Sequence, residues 1–201
     1  HNPALLAVGL YDGTVMVFDI RIKGNNKPIY ASTIRTNKHT DPVWEIRWNK
    51  DLTVKNLNFF SIASDGRVTN WSLMKNKLEA EEVVKLRLVV DENKGLSDNK
   101  KEAFLYGLAG GMSFDFNEYK TDEFLVGTEE GKIHLCSKAY AGQYLETYDG
   151  HYLAVYAVRW NKFHPKIFLS CSADWTVKMW NRDVKRALMT FDMGCAVGDI
   201  A

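Results

Sequence analysis

The chain has 201 residues, 46% of them apolar and 25% charged, which suits a globular protein of one large domain or two small ones. Its net charge of +1 supplies no long-range field for nucleic acid or an anionic membrane, so neither is expected as a partner. No apolar run approaches the roughly 18 residues of a membrane-spanning helix.

The first element in chain order is "LAVGLYDGTVMVFDI" (6–20), a short apolar run, a turn at Asp12-Gly13, and a run alternating in period two. That pattern is a β-hairpin. After the polar stretch "IKGNNK" comes "KHTDPVWEIRWN" (38–49), a His followed by an alternating strand ending in Arg-Trp-Asn. A second hairpin, "FSIASDGRVTNWSL" (60–73), turns at Asp65-Gly66. The segment "LEAEEVVKLRLVV" imitates an amphipathic helix, but two Val-Val pairs disfavour helix and assign it to an outer strand. Residues Asp91 to Glu102 are too polar for a core and read as a solvated excursion.

The second half repeats the first. "AGGMSFDFN" (109–117) matches the Arg-Trp-Asn strand but lacks its His. A third hairpin, "FLVGTEEGKIHLCS" (124–137), turns at Glu130-Gly131. "GHYLAVYAVRWN" (150–161) restores the His, and "FLSCSADWTVKMWN" (168–181) is a fourth hairpin whose turn is Asp174-Trp175. Phe18, Trp71, Cys136 and Trp180 hold equivalent places, at steps of 53, 65 and 44 residues. The shortest step fits the ~40–45-residue period of a WD40 propeller blade, and the polar insertions account for the longer ones. The expected fold is all-β: part of one propeller of four-stranded antiparallel blades, incomplete at both ends, four to five blades at about 43 residues each. The blade pieces are 1–20, 28–73, 81–137, 143–181 and 186–201. The start at His1-Asn2-Pro3 and the apolar "AVGDIA" near the end read as cuts through a longer protein.

Two constellations imitate a catalytic triad: His39, Ser61 and Asp65, and His151, Ser170 and Asp174. A triad is recognised by geometry, and duplication within one chain argues against catalysis. A Trp follows each Asp by six residues, Trp71 or Trp180. This resembles the WD-repeat structural tetrad, a hydrogen-bonded Asp-His-Ser-Trp chain within a blade. "GTEEGKI" (127–133) imitates a phosphate loop, but its glycines are too close and Ile133 stands where a Ser or Thr is required. His134 and His164 have no partners at metal spacing and read as surface or strand residues, so no metal or cofactor is expected. Cys136, Cys171 and Cys195 are odd in number without a CxxC pair, which reads as reduced thiols in a cytosolic compartment. The sequon Asn70-Trp71-Ser72 is discounted on that reading.

The runs "NPALLAVGLYDGTVMVFD", "NLNFFSIASDGRVTNWSL", "FLVGTEEGKIHLCSK" and "SCSADWTVKMW" together resemble the WD-repeat region of dynein intermediate chains, the axonemal outer-arm type above all. The resemblance implies a seven-bladed, non-enzymatic propeller in the cytoplasm and cytoskeleton, at the axoneme of the cilium or flagellum. It implies binding to a dynein heavy-chain tail and pairing with a second intermediate chain, with light chains held by a segment N-terminal to the propeller. The alternatives are another WD40 adaptor that recognises peptide motifs, and an enzyme framed on a propeller. In a WD blade the hairpin turns and the His-bearing loops open on one face. That face would display Tyr11, Asp12, Arg67, Glu129, Glu130, Lys132, Trp175 and the 91–102 loop as partner contacts. Trp175 is the sharpest of these, a large indole at a turn where Gly, Asn or Asp is usual. Its bland reading is that it covers a neighbouring blade.

Overall fold

The computed structural model describes residues 4–22, 24, 27–49, 56–75, 77–88, 107–140 and 143–200. Among them are fifteen strands, one short 3-10 turn at Ile34–Thr36, and no α-helix. The strands form four antiparallel sheets in chain order. The first holds β1 (Leu5–Gly9), β2 (Val15–Asp19) and β3 (Tyr30–Ala31). The second holds β4 (Val43–Trp48), β5 (Asn58–Ala63), β6 (Arg67–Leu73) and β7 (Leu78–Lys85). The third holds β8 (Gly111–Phe116), β9 (Glu123–Thr128), β10 (Lys132–Ser137) and β11 (Glu146–Asp149). The fourth holds β12 (Val155–Trp160), β13 (Ile167–Ser172), β14 (Thr176–Asn181) and β15 (Met189–Asp192). Each is a meander, so every strand pairs with its chain neighbour.

The sheets stack side by side, with a hydrophobic core between each successive pair. Val15 and Val17 of the first sheet meet Phe59, Ala63 and Trp71 of the second. Phe60, Ile62 and Val68 of the second meet Phe114, Phe124, Val126 and Cys136 of the third. Leu125, Ile133, Leu135 and Tyr148 of the third meet Val158, Phe168 and Trp180 of the fourth. This explains why β5 is buried along its whole length. A sheet covered on both faces needs apolar side chains on both, so the alternation of a half-exposed strand gives way to a continuous run.

The sheets do not coincide with the blade pieces read from sequence. Each sheet is closed by an outermost strand, β3, β7, β11 or β15, that the pieces assign to the following blade, and the piece beginning at residue 81 starts inside β7. The repeat fixes the position of each hairpin. It does not say which sheet the next strand joins, and a short connection after the hairpin favours pairing back onto it. "LEAEEVVK" is indeed the outer strand β7 rather than a helix.

The inner strands share a defect. Register slips between Val43 and Glu45, Gly111 and Ser113, and Val155 and Ala157 place one bulged residue, Trp44, Met112 or Tyr156, near the start of β4, β8 and β12. Further along the same strands, Glu45 links three sheets. It accepts from Arg47 at 2.7 Å and from the backbone N–H of Phe114 at 2.8 Å, and Arg159 lies 3.1 Å away.

Candidate functional site

The two hydrogen-bonded sets are built alike. In the second sheet Trp71 Nε1 donates to Ser61 Oγ at 2.7 Å, His39 Nε2 lies 2.7 Å from the same oxygen, and His39 Nδ1 lies 3.0 Å from Asp65. In the fourth, Trp180 Nε1 donates to Ser170 Oγ at 2.8 Å, His151 Nε2 lies 2.7 Å from it, and His151 Nδ1 lies 2.9 Å from Asp174. Only one proton arrangement satisfies every neutral member: Trp donates to Ser, Ser to His Nε2, and His Nδ1 to Asp.

Each Asp also fastens its turn. Asp65 accepts from the backbone N–H groups of Arg67 and Thr40, and Asp174 from those of Thr176 and Tyr152. Burial alone raises the pKa of Asp174, but hydrogen bonds from Thr176, His151 and Tyr152 outweigh it and hold the carboxyl down at about 2. Asp65 is held well below the usual range in the same way, its burial outweighed by the bonds from His39 and Arg67. Burial lowers the pKa of His151 despite Asp174.

These distances would suit a nucleophile triad. Access does not. Ser61 and Ser170 are fully buried, and each Oγ is already engaged by Trp and His. No substrate carbonyl can reach either serine, so the sets tie a strand, a turn and a loop together instead. The other two sheets replace the chain with apolar pairs. Val8 and Phe18 in the first, and Val126 and Cys136 in the third, occupy the Ser and Trp positions. Removing both hydrogen-bonding partners at once leaves neither orphaned, so such replacement costs little.

The four hairpin turns lie at one end of the sheets, beside the loops that carry His39 and His151. Three turns put glycine at positive φ: Gly13 at 81°, Gly66 at 74° and Gly131 at 87°. The fourth puts Trp175 there, at 70°, with 55% of its surface exposed. Tyr11 is also freely exposed. The remaining partner-contact candidates are engaged within the chain. Asp12 binds the backbone and hydroxyl of Thr14. Glu129 accepts from Ser64 Oγ at 2.5 Å, and Glu130 from the backbone N–H of Gly110 at 3.2 Å, though both carboxylates remain exposed.

Arg67 and Lys132 depart from the surface reading. The Arg67 side chain is only 12% exposed, and its guanidinium bonds Asp65, Asn37 Oδ1 and the Lys38 carbonyl. It clamps the His39 loop onto the turn, which a charged residue beside a turn does not reveal in sequence. Lys132 pairs with Asp149 at 2.9 Å across β10 and β11. The loop 91–102 lies outside the described residues. Of the surface or strand reading, His134 takes the strand, in β10. It is buried, stacked on Tyr144 at 3.8 Å, and burial lowers its pKa to about 3. His164 is exposed. No group of three His, Cys, Asp or Glu suited to a metal occurs among the described residues. No helix there is long and apolar enough to cross a membrane.

Sequence reading missed Trp44, Tyr152 and Tyr156, all exposed at this same end. Strict alternation places Trp44 with Ile46 and Trp48, and Tyr156 with Val158 and Trp160, on the packed face. The bulges break that alternation, as bulges do when they re-aim a side chain.

The family description "WD domain, G-beta repeat" matches residues 142–181. Among curated proteins, the chain is 50% identical over its full length to "Dynein intermediate chain 2, ciliary" of Heliocidaris crassispina, covering 28% of that protein. It is 48% identical over 98% of its length to "Dynein, 78 kDa intermediate chain, flagellar outer arm" of Chlamydomonas reinhardtii, covering 29% of it. It is 45% identical over 96% of its length to "Dynein axonemal intermediate chain 1" of Bos taurus, covering 27% of it. The chain thus spans under a third of the length of these relatives. Among solved structures, the computationally designed Ika8 protein aligns with a TM-score of 0.63 at 21% identity, over the whole of this chain and 50% of that one, a likeness of fold alone. With WD-type hairpins, two buried Asp-His-Ser-Trp sets and 45–50% identity over nearly its whole length, the chain matches a WD-repeat-containing part of axonemal dynein intermediate chains.

Proposed function

We propose that this chain forms part of the propeller of a non-catalytic scaffold subunit in an axonemal outer-arm dynein. In this reading the propeller grips the heavy-chain tail, pairs with a second intermediate chain, and so assembles the motor on the cytoskeleton of the cilium or flagellum. The observation that carries the reading is the 45–50% identity, over nearly the whole chain, to proteins named ciliary, axonemal and flagellar outer-arm intermediate chains. The site chemistry agrees with it. Among the described residues the triad-like serines, Ser61 and Ser170, are sealed inside the sheets, while large aromatic side chains stand exposed at one end on a framework fixed by the two tetrads. Rigid display of aromatic groups suits binding, because hot spots are enriched in Trp and Tyr held in place before the partner arrives.

The test is purification of the full-length protein from ciliary extract, with subunits identified by mass spectrometry. Recovery of a dynein heavy chain in fixed proportion supports the proposal. Recovery of other complexes without any dynein subunit contradicts it.

A further inference from the structure

Trp175 occupies a backbone conformation that its three counterparts give to glycine, and more than half of its surface faces solvent. An L side chain in the left-handed region is strained, and burial of the indole does not offset the strain here. Strain of this kind, once observed, points to a use for the side chain.

Its surroundings say what kind of use. Tyr152, 88% exposed, has its backbone N–H bound to Asp174, the residue before Trp175. The Glu130-Gly131 turn lies against the same loop, since a Cβ on Gly131 would stand 2.5 Å from the His151 carbonyl oxygen. On the far side of that turn, Ser64 Oγ donates to Glu129 and accepts from Trp44 Nε1 at 2.7 Å, which holds the exposed Trp44 ring in place. Two carboxylates are therefore flanked by aromatic side chains on both sides. Among the described residues neither carboxylate has a cationic partner.

We infer that this face, formed by Trp44, Tyr152, Tyr156 and Trp175 around Glu129 and Glu130, docks an arginine-bearing segment of a partner protein. The inference rests on the partner-binding reading given above and deepens it. Aromatic faces attract cations, and a planar guanidinium both stacks on indole and pairs in bidentate fashion with carboxylate. A purely apolar partner would desolvate both glutamates without compensation, and a phosphate backbone would be repelled by them.

The test uses the full-length protein and fluorescein-labelled peptides of Leu-Arg-Ala repeats, read by fluorescence anisotropy. Matched peptides carry citrulline, the neutral isostere, or Glu in place of Arg. The Arg peptide is expected to bind at least tenfold more tightly than the citrulline peptide, and the Glu peptide not to bind. Trp175→Gly and Tyr152→Ser should each weaken the Arg peptide at least fivefold while thermal melting shows the fold intact. The double change Glu129→Gln, Glu130→Gln should flatten the salt dependence. Equal binding of Arg and citrulline peptides, no Arg-peptide binding up to roughly 1 mM, or full binding by folded Trp175→Gly would overturn the inference. Recovery of dynein heavy chain by the same variants separates the two readings. If Trp175→Gly loses heavy chain while the peptides show no preference for Arg, the face binds the motor but its occupant is not cationic, and the inference alone fails. If the Arg preference holds while Trp175→Gly keeps heavy chain, the inference stands and this face is not the grip on the motor.

Discussion

Ser170→Ala is the most informative small change in the molecule. Its Oγ lies 2.8 Å from Trp180 Nε1 and 2.7 Å from His151 Nε2, with no solvent access. Alanine keeps the packing but leaves an indole N–H and an imidazole nitrogen buried without partners. Each orphaned group costs about 1–3 kcal/mol, so the expected loss is about 2–6 kcal/mol. A protein of this size would melt on the order of 5–20 °C lower. Urea titration gives the loss, and hydrogen exchange across β12–β14 should localise it to the fourth sheet. Adding Trp180→Phe and placing Val at position 170 reproduces the residues, Val8 and Phe18, that the first sheet holds at the equivalent positions. That double variant should be less destabilised than the sum of its single changes by at least about 1 kcal/mol, because one orphan is removed with its partner. A loss below about 1 kcal/mol for Ser170→Ala, or strict additivity in the pair, would refute the picture of a buried, fully satisfied chain.

Gly131→Ala should cost about 1–3 kcal/mol, because φ is +87° and the new Cβ would stand 2.5 Å from the His151 carbonyl oxygen. Gly24→Ala, at φ +77° with nothing within 4 Å, pays only the backbone strain and should cost less by urea titration. Native protein should show one fast thiol toward a disulfide reagent within this chain: Cys195 is exposed, while Cys136 and Cys171 are buried and burial pushes their pKa values up. Stability should fall on acidification in two stages. The folded pKa values of His134 (about 3) and His151 lie below the ordinary 6.5, so stability from keeping them neutral is present above pH 6.5 and is lost as pH falls below it, by up to about 1.4 kcal/mol per pH unit for each group. Asp65 and Asp174 are depressed from 3.8, so their contribution is present above about pH 4 and disappears as pH falls towards 2. Glu45, raised by burial, acts in the opposite sense, and a flat urea midpoint between pH 6.5 and 4.5 would contradict the buried-histidine assignment.

The turns and strands were legible where one residue type has one physical meaning. Asp-Gly in two turns and Glu-Gly in a third, each between alternating runs, fixed three hairpins, and Gly13, Gly66 and Gly131 do adopt the positive φ that such turns require. The pairing of His39 with Ser61 and of His151 with Ser170 could be read because both sets repeat at one spacing, and repetition separates a scaffold from a catalytic accident. The blade boundaries could not be read. Strand β3 pairs with β2 across a polar connection, a choice made by tertiary pairing rather than local propensity. Nor could the bulges, which depend on register between strands and turn Trp44 and Tyr156 outward against their own alternation. Arg67 looked like a surface charge because the loop it clamps, with Asn37 in the left-handed region, returns from thirty residues earlier. His134 reads in sequence as a surface or strand residue; its burial in β10 comes from partners distant in sequence, the stacked Tyr144 ring and Thr147 Oγ1 at 3.0 Å from its Nδ1.

The most direct test of the account replaces Trp175 with a photo-crosslinking amino acid in the full-length protein expressed in ciliated cells, with Phe163 as control. Phe163 is exposed in the loop joining β12 to β13, at the opposite end of the sheets. The account predicts a dynein heavy-chain adduct from position 175 and none from position 163. An adduct from 163 alone, or adducts from 175 that contain no dynein subunit, would contradict it.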